Sequence, residues 1–422
     1  MAGVILGPAY KSFPPHSWGA ALDDFLSKRP GLEEFATPLV TADANAMAHN
    51  VALLARWSAA RGIRLAPHGK TTMAPALWRQ VLDAGAWGLT LATGWQVQVA
   101  RSFGVDRILL ANELIDPVAL RWLAAERCAH PHFEFYCWAD SLDAVRGMES
   151  VLAGLELPSP VNVLVELGTL RGRTGARSID AALAVAAAIA ASRSLRLAGV
   201  GAYEGPITHD RSVSGLDAIG RYLDDVVDLH HRLEAGIGYA GLRPVVSAGG
   251  SAYFDLVAQH LAPLVDSATV VLRSGAYQVH DDGFYRGISP FAHAPAEQRF
   301  HAAMHGWARV LSRPEPRLAI LDGGRRDFPF DEGLPTPQRI VGASDADSAR
   351  TLSGSRVTKL NDQHTFLQLG EGAGADALPV GSVVRFGLSH PCTAFDKWRL
   401  MPVVDDASLP HPSVVDAVET YF

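Results

Sequence analysis

Short β-type runs alternate with helix-type periodicity from about residue 37 to residue 280. This alternation is typical of parallel strands that are joined by helical crossovers. Eight such strands predict a (β/α)8 TIM barrel, an α/β fold that uses about 250 residues. An open doubly wound sheet is the alternative fold. The strand candidates are the runs 63–67, 87–92, 107–111, 133–138, 161–167, 195–202, 244–248 and 269–273.

Local signals place the first two crossover helices. Asp43 follows the apolar run 38–42 and is a good N-cap, and Gly62 ends the helix that Asp43 opens. Pro75 suits the first turn of the second helix, which Gly85 ends. Apolar residues recur at spacings of three and four in both segments, so each helix presents one apolar face to the barrel.

The character of the sequence changes after about residue 285. Seven prolines interrupt the chain between residues 290 and 337, and the runs 317–321, 365–369 and 382–386 are typical of antiparallel strands. We expect a helix in this part only at the end, from Pro412. The sequence thus predicts three regions: an N-terminal segment (1–36) that packs on the β domain, a barrel (37–285), and a second, mostly β C-terminal domain (286–422).

The charge balance argues against a polyanionic partner. The 37 Lys and Arg residues and the 44 Asp and Glu residues give a net charge of −7, whereas binding of nucleic acid needs a basic face. The chain shows neither a signal peptide nor an apolar run long enough to cross a bilayer, so no membrane partner is expected. Hydrophobic residues make up 48% of the chain, which argues against disorder.

The chain has three cysteines, Cys128, Cys137 and Cys392, which are too few to stabilise 422 residues by disulfide bonds. A disulfide scaffold is therefore excluded, and a reducing, cytoplasmic location is expected. We expect Cys128 and Cys137 to be buried in or beside barrel elements, without a chemical role.

A lysine follows the first barrel strand, in the motif 67–72 (PHGKTT). The active site of a TIM barrel lies at the carboxyl ends of its strands, so residues at this place are candidates for function. A lysine there is most often a surface charge. Because Ala66 and Gly69 leave room for a ligand, and a polar turn follows, the motif favours a functional amine at Lys70.

Glycines and hydroxyl groups follow the seventh and eighth strands, in the segments 247–251 (SAGGS) and 274–277 (SGAY). In barrels these two loops commonly hold phosphate, because glycine lets backbone N–H groups approach the oxygens. Two ordinary glycine turns are the alternative. The position of both loops favours a phosphate site.

A third candidate site lies in the β domain, at Ser389-His390-Pro391-Cys392. On an extended backbone, residues two apart point to the same face, so an imidazole and a thiolate can bind one soft divalent metal ion. A His-x-Cys tripeptide is usually accidental. The rigid Pro391 and the polar segments 362–364 and 396–397 favour the metal site.

An amine, a phosphate cradle and a metal site together resemble the fold-type III pyridoxal phosphate enzymes. The motif 67–72, with 37–39 (TPL) before it and 111–114 (ANEL) after it, resembles the D-serine dehydratase and D-threonine aldolase branch. The segment 387–399 (GLSHPCTAFDKWR) is similar to the metal-binding segment of zinc-dependent D-serine dehydratases. The resemblance covers residues 37 to 404 and implies an alanine racemase-like barrel and a homodimer.

The resemblance also implies a role for each candidate residue. Lys70 is the catalytic lysine that holds pyridoxal 5'-phosphate as a Schiff base, and His390 and Cys392 are the Zn2+ ligands. The segment around Arg173 departs by one or two residues from the family spacing. The remaining cofactor-binding residues are His68, Arg173, Tyr203, Ser247, Gly249, Gly250, Ser251 and Tyr277.

This chemistry predicts a lyase for a small D-3-hydroxy amino acid. A lysine base can remove the α-proton, and zinc can help the β-hydroxyl to leave, which yields a 2-keto acid and ammonia. The thiolate of Cys392 favours zinc, whereas the aldolases, by resemblance, have an aspartate there and favour manganese.

Four other functions stay open. They are D-threonine aldolase cleavage to glycine and an aldehyde, a dehydratase for D-threonine or 3-hydroxyaspartate, a non-catalytic pyridoxal phosphate-binding protein, and a cofactor-free sugar-phosphate lyase barrel. Residues 1–36 and 286–313 depart from the simpler dehydratases, so the accepted side chain is not predicted.

Overall fold

The N-terminal part of the chain packs with the β domain in the computed structural model, which describes residues 3–372, 374 and 377–422. This part contains one short helix, α1 (Leu22–Leu26). Phe13, Phe25 and Phe35 contact one another and join the hydrophobic core of the β domain. The first strand, β1 (Leu39–Asp43), pairs with strands of that domain at 304–307 and 403–404. The stretch 39–43, which we assigned to the barrel segment, therefore contributes to the second sheet.

Within the described residues, eight parallel strands form the barrel, in the order β2-β9-β8-β7-β6-β5-β4-β3 along the sheet. The Trp87 amide donates to the Leu65 carbonyl, and the Thr90 amide donates to the Pro67 carbonyl, so β2 and β3 close the ring. All eight predicted strands and the TIM barrel are confirmed. The strands are β2 (Arg64–Leu65), β3 (Leu89–Leu91), β4 (Arg107–Glu113), β5 (Glu134–Ala139), β6 (Val161–Leu167), β7 (Leu195–Ala202), β8 (Val245–Ala248) and β9 (Thr269–Leu272).

Crossover helices surround the barrel. The Asp43 side chain accepts a hydrogen bond from the Ala46 amide at 2.8 Å and caps the first of them, as predicted. Pro75 begins the second, also as predicted. The helices are α2 (Ala44–Ala59), α3 (Pro75–Asp83), α4 (Gly94–Ser102), α5 (Pro117–Ala129), α6 (Leu142–Leu152), α7 (Ile179–Ala191), α8 (Val213–Ala235), α9 (Phe254–Leu261) and the short α10 (Phe284–Ile288).

The second domain is mostly β, as predicted, and its sheet contains nine strands in the described part of the chain, including β1. The three predicted runs are the strands β11, β14 and β15, and two helices, α11 and α12, were not predicted. The elements are β10 (Met304–Glu315), β11 (Leu318–Leu321), β12 (Thr336–Ile340), α11 (Asp345–Leu352), β13 (Arg356–Leu360), β14 (Thr365–Gln368), β15 (Val383–Gly387), α12 (Cys392–Phe395), β16 (Leu400–Val404) and β17 (Val414–Glu419).

The end of the chain is a strand, so the expected helix from Pro412 is wrong. Val414 and Val418 are buried while Asp416 is exposed, and this spacing of four resembles the period of a helix. Five residue pairs join β17 to β16 in an antiparallel ladder, and this pairing decides the conformation.

The β domain lies over the carboxyl ends of the barrel strands. The Tyr421 amide donates to the Met73 carbonyl at 2.8 Å, and the Asp282 amide donates to the Leu388 carbonyl at 3.0 Å. Both contacts attach the β domain to loops that follow barrel strands. Because these loops carry the predicted site, the interface of the two domains positions it.

The structure bears on two further expectations, which concern the burial of the cysteines and the membrane. Cys137 is buried on β5, as expected, but Cys128 is exposed on α5, where the expectation of a buried thiol is wrong. In the part of the chain that the structure describes, none of the helices combines the length and the apolar character that crossing a membrane requires.

Candidate active site

A cavity of about 320 Å³ opens where the β domain covers the carboxyl ends of the barrel strands. Loops that follow the barrel strands form one wall, and the segment that leads into α12 forms the other. The cavity brings together most of the residues that the sequence suggested. Those that line it are His68, Lys70, Arg173, Tyr203, Gly249, Gly250, Ser251, His390 and Cys392.

Lys70 lies on a 3-10 turn, Gly69–Thr71, that begins just after β2. The Trp78 indole N–H donates to the Gly69 carbonyl at 3.0 Å and holds this turn in place. Burial lowers the pKa of the Lys70 amine, and the guanidinium groups of Arg173 and Arg273 lower it further, while Cys392 opposes them. A lowered pKa leaves a larger fraction of the amine unprotonated at neutral pH, so more of it is available as a base and nucleophile.

Glu204 shapes the glycine loop after β8. Its buried carboxylate accepts hydrogen bonds from the amides of Gly249 and Gly250, both at 3.0 Å. Gly249 has a φ of 97°, which glycine adopts without strain. A Cβ atom at Gly250 would lie 3.1 Å from the Tyr203 ring. These two amides, which we expected to approach a phosphate, therefore bind a carboxylate of the protein itself.

Ser251 connects the two predicted phosphate loops. Its hydroxyl accepts hydrogen bonds from the amides of Gly275 and Ala276, at 3.3 and 3.1 Å. A Cβ atom at Gly275 would lie only 2.6 Å from the Cβ atom of His68, so this loop approaches the lysine motif as closely as glycine allows. The two glycine loops and the lysine turn thus meet at one end of the cavity.

The structure places Ser247 and Tyr277 outside the cavity. The Ser247 hydroxyl is buried in the barrel, where it donates to the Val271 carbonyl at 3.0 Å and accepts from Arg273 at 2.6 Å. Tyr277 packs in the core of the barrel domain, with its ring 6.0 Å from that of Phe300. Burial raises the pKa of the Tyr277 hydroxyl.

Two arginines give the cavity positive charge. The guanidinium of Arg173 lies 4.8 Å from the centre of the Tyr203 ring, and that of Arg273 lies 4.9 Å from the centre of the Trp138 ring. Arg273 is buried, and burial lowers its pKa to about 10 although Glu204 opposes this. Arginines in such positions suit the binding of carboxylate or phosphate groups.

His390 is held between a carboxylate and a thiol. Its Nδ1 atom lies 2.6 Å from Asp331, and Thr393 donates to the other oxygen of Asp331 at 2.7 Å. The neighbouring Cys392 side chain raises the pKa of His390 to about 9, burial opposes it, and Asp331 adds to the rise. The Cys392 sulfur lies 3.6 Å from the hydroxyl of Thr71, the residue after Lys70. The imidazole and the thiol thus face the lysine turn.

The backbone at this segment is not extended, so that part of the prediction is wrong. His390 has a φ of 53°, which is rare for a residue other than glycine, and Cys392 is the first residue of α12. Asp281 holds the turn, because its carboxylate accepts from the His390 amide at 2.9 Å and from three further amides at 283, 285 and 286. A turn rather than a strand brings the two donors together.

Three carboxyl groups meet at the ends of β4, β5 and β6. Glu113, Asp140 and Glu166 each place an oxygen within 4.8 Å of the others. Burial raises the pKa of Glu166 to about 8, and the Glu113 carboxyl raises it further. Burial also raises the pKa of Glu113. Because two adjacent carboxylates repel each other, this pair retains a proton at neutral pH.

Comparison with known proteins extends over most of the chain. Residues 303–404 match the family model described as "Putative serine dehydratase domain". A D-threonine aldolase from an Arthrobacter species is 24% identical over 90% of this chain and 92% of that protein. D-threo-3-hydroxyaspartate dehydratase from Delftia sp. (strain HT23) is 28% identical over 84% of this chain and 90% of that protein.

The fold is also similar to a solved structure. The crystal structure of D-threonine aldolase from Filomicrobium marinum covers 92% of this chain and 96% of its own, with 24% identity and a TM-score of 0.75. These similarities support the assignment of the chain to the fold-type III pyridoxal phosphate-dependent lyases.

The cavity fits pyridoxal phosphate, the cofactor that the similarity to fold-type III enzymes implies. His68 Nδ1 and Trp138 Nε1 are buried and have no hydrogen-bond partner within the described residues, which indicates a polar ligand beside them. Gly250 leaves room against Tyr203 that a larger side chain would fill. Lys70 supplies the amine, and the arginines supply charge for an anion.

The donor set of His390 and Cys392 fits a zinc ion. A metal-binding histidine usually gives its second ring nitrogen to a carboxylate, and Asp331 occupies that place. Imidazole and thiolate are the ligands that zinc prefers. No third protein ligand lies close enough within residues 3–372, 374 and 377–422, where the one group of three possible ligands is Glu113, Asp140 and Glu166.

Sequence reasoning missed four residues that shape this site. The sequence could have indicated Arg273, because an arginine directly after a buried barrel strand faces the mouth of the barrel. The sequence could also have indicated Glu204, because this charged residue follows a barrel strand and is next to Tyr203. Asp281 and Asp331 had no signal, since they lie 109 and 59 residues from His390 along the chain.

Proposed function

We propose that the protein is a pyridoxal phosphate- and zinc-dependent lyase similar to D-serine dehydratase. It eliminates the β-hydroxyl of a small D-3-hydroxy amino acid and yields a 2-keto acid and ammonia. One observation carries the proposal: the cavity that contains Lys70 also contains His390 and Cys392. An amine for the α-carbon and metal ligands for the β-substituent then face the same substrate.

Lys70 is the residue that moves the proton. When bound, pyridoxal phosphate supplies an electron sink for the negative charge that develops at the α-carbon. Burial and two nearby arginines lower the pKa of Lys70, so its amine is available as a base near neutral pH. Arg173 and Arg273 are suitable partners for the cofactor phosphate or the substrate carboxylate, and Tyr203 and Trp138 form the walls.

His390 and Cys392 would hold zinc, whose Lewis acidity makes hydroxide a better leaving group. Asp331 fixes the orientation of the imidazole through its bond to Nδ1. The thiolate of Cys392 favours zinc over the harder ions manganese and magnesium. This choice of metal is the reason that we propose dehydration.

Aldol cleavage to glycine and an aldehyde is the second candidate, because a D-threonine aldolase is among the relatives. Cleavage needs the same lysine but acts on the bond between the α- and β-carbons, with a base for the β-hydroxyl proton. The soft donor Cys392 argues against it. A non-catalytic pyridoxal phosphate-binding protein would not need a metal site, so this alternative does not explain the arrangement of His390, Cys392 and Asp331.

We also propose that the protein is a cytoplasmic homodimer. Six large apolar side chains are exposed on loops and helix starts that follow β3 to β7, on the rim of the barrel mouth. A second copy of the chain would cover them, since an exposed apolar patch of this kind marks an interaction site. They are Trp95 (50% exposed), Ile115 (58%), Val118 (64%), Leu142 (42%), Leu170 (80%) and Val213 (78%).

A product assay tests the proposed reaction. The purified protein, supplied with pyridoxal phosphate and zinc, is incubated with D-serine, D-threonine, D-3-hydroxyaspartate and their L forms, with and without a chelator. We expect 2-keto acid and ammonia from a D substrate, and loss of this activity with the chelator. Glycine and an aldehyde as the main products would contradict dehydration and show that the protein catalyses aldol cleavage.

A further inference from the structure

A second cavity, of about 540 Å³, lies on the other side of the segment that holds His390. It is bounded by residues 280–302, which include part of the stretch 286–313 that departs from the simpler dehydratases, and by the sheet of the β domain. Its floor is formed by His305 on β10, Gln338 on β12 and Arg385 on β15, and Arg286 and Arg299 lie at its mouth. None of these residues lines the active-site cavity.

The floor contains polar atoms that lack partners. His305 is only 6% exposed, and its Nδ1 atom is buried without a hydrogen bond to any described residue. The same holds for Nε of Arg385 and Oε1 of Gln338. The side chains of His305 and Gln338 are close enough to interact with each other. The unpartnered Nε atom of Arg385 is therefore the clearest sign of a ligand, because buried polar groups are nearly always satisfied.

The charge of the cavity is not balanced by its own carboxylates. Asp281 accepts from four backbone amides, and Asp282 accepts from Gln338 at 2.8 Å and from Arg286 at 3.2 Å. Arg385 lies directly opposite Arg339 in the antiparallel pair of β15 and β12, and each donates to a backbone carbonyl. Like charges opposite each other on neighbouring strands are unfavourable unless counterions are present. Arg339 has one, because it forms an ion pair with Asp345 at 3.1 Å, whereas Arg385 forms no ion pair within the described residues.

The mouth adds a further cation. Arg299 is exposed and donates through Nε to the Ala294 carbonyl at 2.5 Å, and its terminal nitrogens form no ion pair within the described residues. The adjacent His301 ring stacks on His49 at 4.2 Å, and the His49 ring nitrogen lies 2.8 Å from the Arg299 carbonyl. The stack therefore fixes the backbone that presents Arg299.

We propose that this second cavity binds a small oxyanion, a carboxylate or a phosphate group, between Arg385 and His305 on the floor and Arg299 at the mouth. A guanidinium offers paired N–H donors that match such a group, and charge-assisted hydrogen bonds in a partly buried site are strong. The volume suits a small metabolite. The site is separate from the proposed reaction and does not depend on it.

Calorimetric titration of the cofactor-loaded protein tests the site. Inorganic phosphate and succinate are titrated separately at constant ionic strength set with potassium chloride, so that screening does not differ between points. Loading with pyridoxal phosphate keeps the active-site cavity filled. We expect saturable binding of at least one probe, and the tighter of the two identifies the chemical source of the oxyanion.

Two variants locate the binding. Arg299→Ala changes an exposed residue at the mouth, and Arg385→Gln changes the floor. Each removes charge-assisted hydrogen bonds, so we expect about tenfold weaker binding or more. Arg350→Ala, an exposed arginine on α11 outside the cavity, is the matched control and keeps wild-type affinity. Absence of saturable binding, or equal affinity in Arg299→Ala and the control, would overturn the proposal.

Discussion

The Nδ1 atom of His390 lies 2.6 Å from a carboxylate oxygen of Asp331, although 59 residues separate them in the chain. This contact fixes the ring and leaves Nε2 free for a metal ion. Thr393 holds the other oxygen of Asp331, so the carboxylate itself is fixed. A loop of the β domain thereby orients His390, the proposed metal ligand, at the mouth of the barrel.

Replacing Asp331 should weaken metal binding without removing a ligand. Loss of the carboxylate that supports a metal-binding histidine typically reduces metal affinity by about 10- to 100-fold. We expect this for Asp331→Ala when zinc affinity is measured by competition with a chromogenic chelator. Asp396→Ala, which removes a neighbouring carboxylate, serves as the control. Equal affinities in the two variants would contradict the role of Asp331.

Replacing Glu204 should loosen the glycine loop. Its carboxylate accepts from both Gly249 and Gly250, and glutamine in its place offers one acceptor oxygen instead of two. One buried amide is then left without a partner, which costs about 1 to 3 kcal/mol. Urea unfolding of Glu204→Gln and of the exposed control Glu156→Gln measures the difference. Wild-type stability in Glu204→Gln would show that the loop does not depend on this carboxylate.

Replacing Glu166 should change how stability depends on pH. Burial, with the Glu113 carboxyl beside it, raises the pKa of Glu166 from 4.5 to about 8. The folded state binds this proton more tightly than the unfolded chain does, so the contribution to stability is full below pH 4.5 and is lost as the pH rises toward 8. Glu166→Gln, a neutral isostere, should therefore gain stability relative to the wild type between pH 5 and pH 9.

The gain should be roughly 2 kcal/mol, less than a full shift would give, because neighbouring groups share the proton. Urea unfolding at pH 5 and pH 9 measures it. The control is Glu156→Gln, which should keep the wild-type difference between the two pH values. A Glu166→Gln variant that loses stability at pH 9 relative to the wild type would contradict the sign of the effect.

The barrel could be predicted from the sequence because parallel strands buried on both faces appear as short apolar runs between helices. β6, residues Val161–Leu167, is buried at each of its seven positions. The limit of prediction from sequence appears at β17, where we expected a helix from Pro412. Pairing with β16 cannot be read from β17 alone.

The site residues could be predicted only where the functional side chains lie within one short segment of the sequence. Lys70 and the pair of His390 and Cys392 were predicted in this way and line one cavity, although the backbone argument for the pair was wrong. Asp331 and Asp281 join the site through the tertiary fold, so no local pattern marks them. Ser247 was assigned to the cavity because it follows the right strand, but its side chain points into the barrel, where Arg273 binds it.

Trapping of the cofactor on Lys70 tests the central claim most directly. The protein is incubated with pyridoxal phosphate, reduced with borohydride and digested, and the modified peptide is identified by mass spectrometry. We expect the modification on Lys70, its absence in Lys70→Ala, and its retention in the control Lys397→Ala. A protein that binds no cofactor, or a modification on another lysine that persists in Lys70→Ala, would contradict the account.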